Sequence, residues 1–529
     1  MSIKDRKPFG SLRSLFWPIY PSEYKKFLPM LGMIFLIYFN YNILRAAKDT
    51  MVITAPGSGA EAIPFLKVWV MVPMALLMTF IFTRVSNRNT KEKAFYWMIG
   101  IFLVYFILFT FFLYPFRDSL HPHNFANLLE NSLPQGLKGL VALLRNWTFT
   151  SFYVMSELWS AMILTVLFWG FVNDVTSVKE AKRFYAIFGV GANVSGIFAG
   201  QIGKALSSAP YLEFLPFGAT AWDQSVLYLN VTVIAATGLI IWMFRRLNTK
   251  VFRQSLSSYY SGPKVKMSIR KNFSYLMKSR YLLYIALIVV TYNLCINLVE
   301  VVWKNQVKLL HPTSSAYNVY MSDVMTLTSF IATSTSLFIT GFLLRRFSWT
   351  FNALIPPMIM ISTGIFFFGF LLFKDSFFGG LAALVGATPL VMTVLFGTLQ
   401  NSLSRASKYT LFDATKELSF IPLTQESKSK GKAAIDGVGS RIGKSGGSLI
   451  HQVLLLAFST ISASTPIIAA IFLAVVGVWT LAVVFLGKQF QALTHQTPDE
   501  PLPVPSQPIH LEANESTQEK ELKKEEALT

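Results

Sequence analysis

Long apolar stretches recur along the chain, separated by short polar connections. Each is near the roughly 20 residues that a membrane-crossing helix needs. They fall at residues 27–50, 63–84, 94–115, 148–173, 184–204 and 225–245, and again at 281–303, 319–344, 349–373, 380–403, 434–458 and 465–487. The runs at 184–204 and 434–458 are the richest in glycine and polar residues. The pattern predicts an all-α polytopic membrane protein with twelve transmembrane helices. The first run comes after a mixed segment, 1–26, with no small-residue cleavage motif, so it reads as a retained helix rather than a signal peptide. The long connection 117–147, with apolar positions from Phe125 to Leu129 and from Leu137 to Leu144, suggests a short helix lying at the membrane interface. The tail 489–529 is Pro-rich and then Glu/Lys-rich, the composition of a disordered segment.

The two sets of six echo each other. Tyr41-Asn42-Ile43-Leu44 in the first run matches Tyr292-Asn293-Leu294 in the seventh. Gly189-Val190-Gly191 in the fifth matches Gly437-Val438-Gly439 in the eleventh, and Val166-Leu167-Phe168 in the fourth matches Val394-Leu395-Phe396 in the tenth. Three short matches in the same order predict parallel repeats, a six-helix bundle at 27–246 and another at 281–488 joined by a basic linker at 247–280. That is a major-facilitator-like, six-plus-six, pseudo-twofold architecture.

Composition narrows the class. The chain of 529 residues is 53% hydrophobic and 14% charged, against about 25% charged in soluble domains, which excludes a soluble enzyme. Cys295 is the one cysteine, so there is no intrachain disulfide, and no Cys/His cluster or other metal motif is present. The formal net charge is +20. In a soluble chain that would point to nucleic acid; here the basic residues concentrate in alternate loops. Arg84, Arg88, Lys91 and Lys93 come after the second run, and Lys179, Lys182 and Arg183 after the fourth. The linker after the sixth is basic throughout, and Arg345 and Arg346 come after the eighth. The positive-inside rule then places both termini in the cytoplasm. Attraction of an anionic substrate is a second reading of the same charge, and both can hold.

Ionisable residues inside the runs carry the functional signal, because each must face water or a partner. Tyr41, Arg45 and Lys48 form one helical stripe, flanked by Asn42 and Asp49. Lys48 reads either as a buried functional group or as an end residue reaching into water. Glu157 reads as a proton carrier, a partner for a cation, or a structural ion pair. Asn293, Asn297, Glu300 and Lys304 share one face of the seventh run. In the eleventh, Gly439, Gly443 and Gly447 form a close-packing row, with Asp436, Arg441 and Lys444 on other faces. Gly189, Asn193, Gly196 and Gly200 form a related row in the fifth. Gly443-Lys444-Ser445 is not a P-loop, since Val438 stands where the first glycine is required. No nucleophile–base pair is visible, so no catalytic residues are assigned and an enzyme is not expected. The basic excess within the spans suits a polyanion, and phosphates are the natural partners of Arg and Lys.

Several longer stretches are distinctive: Ile43-Leu44-Arg45-Ala46-Ala47-Lys48-Asp49, Glu157-Leu158-Trp159, Leu298-Val299-Glu300-Val301-Val302-Trp303-Lys304, Ala406-Ser407-Lys408-Tyr409-Thr410-Leu411-Phe412-Asp413, Lys430-Gly431-Lys432-Ala433-Ala434-Ile435-Asp436 and Gly443-Lys444-Ser445-Gly446-Gly447. Together they resemble the ATP/ADP translocases of obligate intracellular bacteria and plastids, the chlamydial members above all. The resemblance implies import of ATP in exchange for ADP, with inorganic phosphate moving alongside, across a bacterial inner membrane. It places the sensitive charges on Lys48, Glu157, Glu300 and Lys444, with Lys432 as the alternative to the last. The expected substrate site is Asn42, Arg45, Lys48, Glu157, Asn293, Asn297, Glu300, Arg441 and Lys444. Tyr41, Asn193, Lys304, Lys432 and Asp436 are secondary candidates. No cofactor, resident metal or nucleic-acid partner is expected; the partners are ATP, ADP, phosphate and the lipid bilayer, and the chain is expected to act as a monomer. A proton-coupled symporter for a nucleotide or another anionic metabolite, with Glu157 or Glu300 titrating, is the alternative.

Overall fold

A backbone placed in lipid must satisfy its own hydrogen bonds, and an uninterrupted apolar run does this as a helix. The computed structural model describes residues 13, 17–251 and 279–496, apart from 425–426, 429–430, 433–434 and 436–438. All the regular elements among the described residues are helices. Apart from single turns at Pro21–Glu23, Arg117–Leu120 and Gln135–Leu137, they are α1 (Tyr24–Ile53), α2 (Ala62–Arg88), α3 (Lys91–Leu113), α4 (His123–Ser132), α5 (Lys138–Arg145), α6 (Trp147–Val175), α7 (Val178–Ser207) and α8 (Ala221–Lys250). Then come α9 (Arg280–Leu310), α10 (Ser314–Arg346), α11 (Trp349–Leu372), α12 (Phe377–Leu384), α13 (Pro389–Ser419), α14 (Ser440–Phe458) and α15 (Ile461–Gln496). Helix starts are well specified. Ser177 and Thr220 each accept from a backbone amide three residues on, and Glu180 and Asp223 return the bond.

Ten helices among the described residues are long and apolar enough to cross a membrane, eleven when the pair α12 and α13, bent by 90°, is one span. The hydropathy pattern predicts twelve. The helix in the eleventh place, α14, forms, but its first half (Ser-Arg-Ile-Gly-Lys-Ser-Gly-Gly) is too polar to be counted. The tenth expected span is a broken one, and its second piece runs well beyond residue 403 to Ser419. Most of the basic linker, the first twelve residues and the tail beyond 496 lie outside the described residues.

Small residues decide which helices approach. On α7, a Cβ at Gly200 would stand 2.6 Å from the Ser322 carbonyl of α10, and one at Gly196 would strike Ser329. On α14, a Cβ at Gly443 would stand 2.6 Å from the Val290 carbonyl and 2.7 Å from the Asn293 Cβ of α9. One at Gly447 would come within 2.9 Å of the Asn297 Cβ. Gly196, Gly200, Gly443 and Gly447 of the expected rows therefore sit at close approaches, whereas Gly189 faces open space and a Cβ at Gly439 would meet only the Val290 side chain, at 3.8 Å. Gly443→Ala should lower the thermal midpoint of the purified protein, by about 1–3 kcal/mol in stability, because Val290 offers backbone rather than a side chain that can move. Gly189→Ala should leave the midpoint unchanged or slightly raised.

Two seams join early helices to late ones. α7 lies along α10, and α2 along α14. Trp69 donates to the Gln452 side chain at 3.1 Å, and Gln452 donates to the Pro64 carbonyl at 2.9 Å. The fifth span thus meets the eighth, and the second meets the helix in the eleventh place, the pairing that two parallel repeats related by a twofold would make. The segment 123–145 departs from expectation in its second half only. It does hold two short helices, but α5 buries Val141, Ala142, Leu143 and Arg145, and Gly136 lies against the backbone of Leu455 in α14. Protein covers the apolar side of α5, whereas α4 leaves Phe125 and Leu128 54% and 68% exposed.

Candidate functional site: an ion-pair network shared by α1, α2, α6, α9 and α13

Lys48 and Asp49, near the end of α1, are 2% and 1% exposed. Charges so deeply buried persist only with partners. Lys48 Nζ lies 3.0 Å from Glu157 Oε1 of α6 and 3.1 Å from Asp49 Oδ1. It also stands 3.7 Å above the Tyr153 ring, a cation–π contact. The other Asp49 oxygen accepts from Lys304 of α9 at 2.7 Å. Lys304 reaches back one turn to Glu300 at 2.9 Å. Glu300 then takes Arg405 of α13 at 3.0 Å and Lys67 of α2 at 3.5 Å. Lys67 also donates to the Asn297 side-chain oxygen at 2.6 Å, and Arg405 to that of Asn401 at 2.6 Å. One unbroken series of ion pairs thus runs from Glu157 to Arg405 and Lys67, and Asp49 joins α1 to α9.

Local irregularities sit beside these charges. Lys67 is inside a π-helical turn (Leu66–Val70), Glu157 just precedes another (Ser160–Phe168), and Arg405 precedes a third (Lys408–Phe412). The wider turn re-aims side chains and is frequent at functional sites.

A second group of cations is left over. Arg45, Arg441 and Lys444 make no ion pair or side-chain hydrogen bond among the described residues; Arg45 is half-buried and the other two are exposed. Arg45 stands in electrostatic range of Tyr41, Tyr409 and Glu300, and Lys444 of Glu157. The network holds four cations against three carboxylates, so these three add to an existing positive excess. Guanidinium and ammonium groups without carboxylate partners are free to take phosphate oxygens.

The structure gathers Lys48, Glu157, Asn297, Glu300 and Lys304 into the network, and leaves Arg45, Tyr41, Arg441 and Lys444 beside it or open. The reading of Lys48 as an end residue reaching into water fails, because its ammonium is enclosed. Other candidates go elsewhere. Asn42 lies in the α1–α7 packing, its amide 3.1 Å from where a Gly196 Cβ would be. Six residues rotate it about 120° away from Lys48. Asn293 donates to the Val289 carbonyl of its own helix and packs on Gly443. Asn193 is half-buried on α7 with no side-chain bond among the described residues. Lys432 pairs with Glu417, both nearly half exposed and outside the network. Asp436 lies outside the described residues.

Lys67, Arg405 and the bridging role of Asp49 escape a reading by runs. Lys67 was accessible in principle, as a lone charge inside the apolar run 63–84. Arg405 was hidden because its run ends at 403, whereas the helix continues through the π turn.

The family model described as TLC ATP/ADP transporter matches residues 2–490. ADP,ATP carrier protein 1 of Chlamydia muridarum is 46% identical over 497 residues, which is 93% of each chain. The chloroplastic ADP,ATP carrier protein 1 of Arabidopsis thaliana is 40% identical over 469 residues, 89% of this chain and 74% of that one. Among solved structures, a bacterial homologue of the iron transporter ferroportin in an inward-facing state aligns over 90% of this chain and all of its own, with a TM-score of 0.54 at 11% identity. That likeness carries the fold alone, a major-facilitator-like arrangement of helices. With its match along nearly the whole length, the chain belongs to the TLC ATP/ADP transporter family.

Proposed function

We propose that the protein is an antiporter that imports ATP in exchange for ADP by alternating access. The observation that carries this is the buried ion-pair series, which ties α1 and α6 to α9 and α13 and has within electrostatic range two cations, Arg45 and Lys444, unpaired among the described residues. The phosphates of the nucleotide bind Arg45, Arg441 and Lys444, then draw Lys48 and Lys304 away from their carboxylates. Bound substrate in this way replaces the contacts that hold the empty protein in one state, and a ligand shifts such an equilibrium only by its differential affinity for the two states. Helices 27–246 and 281–488 move as two bodies about the α7–α10 and α2–α14 seams. Asn297 adds a hydrogen bond to base, ribose or phosphate. Both termini lie in the cytoplasm of a bacterial inner membrane, and the functional unit is the monomer.

Charge balance supports a third participant. ATP carries one more negative charge than ADP, and moving that charge into an inside-negative cell costs roughly 2.3 kcal/mol per 100 mV. Inorganic phosphate leaving with ADP offsets it.

The test is uptake of labelled ATP into proteoliposomes loaded with ADP, with ADP plus phosphate, or with buffer alone. Uptake is expected only with internal ADP, and to be greater with phosphate present. Equal uptake into empty vesicles, rising with external acidity, overturns the exchanger in favour of proton symport.

A further inference from the structure

A cavity of about 620 Å³ opens between the N-terminal end of α1 and the C-terminal end of α8. Lys25 and Arg246 line it, and both are exposed without an ion-pair partner among the described residues. No carboxylate among the described residues lines it. The Arg246 guanidinium stands 5.5 Å from the centre of the Trp242 ring. Below these groups the wall turns apolar: Leu28 and Trp242 are 48% and 52% exposed, and Met243 closes the deep end against Gly32, where a Cβ would be 3.0 Å from its terminal methyl. Pro29, inside α1, has no N–H, so the Lys25 carbonyl lacks its usual donor one turn on.

We propose that this groove is a binding site for an anionic phospholipid, with phosphatidylglycerol as its matching chemistry. Two unpaired cations at a helix boundary, one resting on a tryptophan, are the arrangement that holds a lipid phosphate at the membrane surface. The Lys25 carbonyl accepts from a glycerol hydroxyl of the headgroup. The exposed Leu28 and Trp242 receive the start of an acyl chain, which a soluble nucleotide does not possess. A choline headgroup would bring its own cation against Lys25 and Arg246. The groove is also separate from the ion-pair network. Lys25 lies sixteen residues before Tyr41, a rotation that places it about 160° round α1 from the Tyr41–Arg45–Lys48 stripe.

The proposal is tested without transport, by native mass spectrometry of protein taken from nanodiscs of equimolar phosphatidylglycerol and phosphatidylcholine. Wild-type protein is expected to retain one phosphatidylglycerol with a preference on the order of 30-fold, two basic contacts at the usual strength. The double variant K25Q/R246Q is expected to lose that preference, while R84Q/R88Q, with the same loss of charge on the end of α2, keeps it. Equal retention of the two lipids by the wild type overturns the site, and that measurement does not depend on any variant folding. Equal loss of preference in both double variants also overturns it, since general surface charge then explains the retention.

Discussion

Glu300→Gln should still bind ATP but exchange it on the order of 100-fold more slowly, close to the effect of losing about 3 kcal/mol of specific stabilisation. The carboxylate is shared by Lys304 at 2.9 Å, Arg405 at 3.0 Å and Lys67 at 3.5 Å. An amide of the same shape keeps the packing but removes the charge that all three cations answer. They then compete for Asp49 or stay on the substrate, and the empty protein loses the pairing that locks it between turnovers. Two readouts separate this from simple damage: ATP affinity by equilibrium binding, and efflux of preloaded ATP into nucleotide-free buffer. Retained affinity with slow exchange and new net efflux is the expected pattern. Glu157→Gln provides the scale, because Glu157 has one ion-pair partner among the described residues, Lys48, and its side chain is 34% exposed; a fall nearer tenfold is expected. Unchanged, strictly coupled exchange in Glu300→Gln sinks the proposed role of the network.

Asp49→Ala should be the most destabilising single change in the site, at about 3 kcal/mol, the low end of the usual cost of removing one partner from a buried ion pair. Its carboxylate links Lys48 at 3.1 Å to Lys304 at 2.7 Å, and all three side chains are no more than 3% exposed. Removing it leaves two enclosed ammonium groups facing each other across the α1–α9 contact, each with one carboxylate remaining, Glu157 for Lys48 and Glu300 for Lys304. The measurement is thermal denaturation in detergent with and without ATP. ATP should raise the midpoint of the variant more than that of the wild type, since phosphate oxygens supply the missing negative charge. A variant that melts like the wild type would mean that Asp49 does not hold the two helices together.

The hydropathy pattern alone determined the class and the positions of nearly all the helices, because lipid allows one economical backbone solution for an apolar run. The residues Lys48, Glu157, Glu300 and Lys304 were legible too, since a charge in an apolar run is conspicuous and one helix face can be read from its spacing. Contacts between distant segments were not legible. The partnership of Asp49 with Lys304, and of Glu300 with Arg405 and Lys67, spans separations that no local period encodes. Asn42 and Asn293 look like ligands on a helical wheel, yet the glycines of α7 and α14 bring neighbouring helices onto them. The π turns beside Lys67, Glu157 and Arg405 shift the very register on which the wheel depends. Sequence marks which positions carry charge; only the packed helices decide which charges meet, because that depends on close approaches set by small residues far away along the chain.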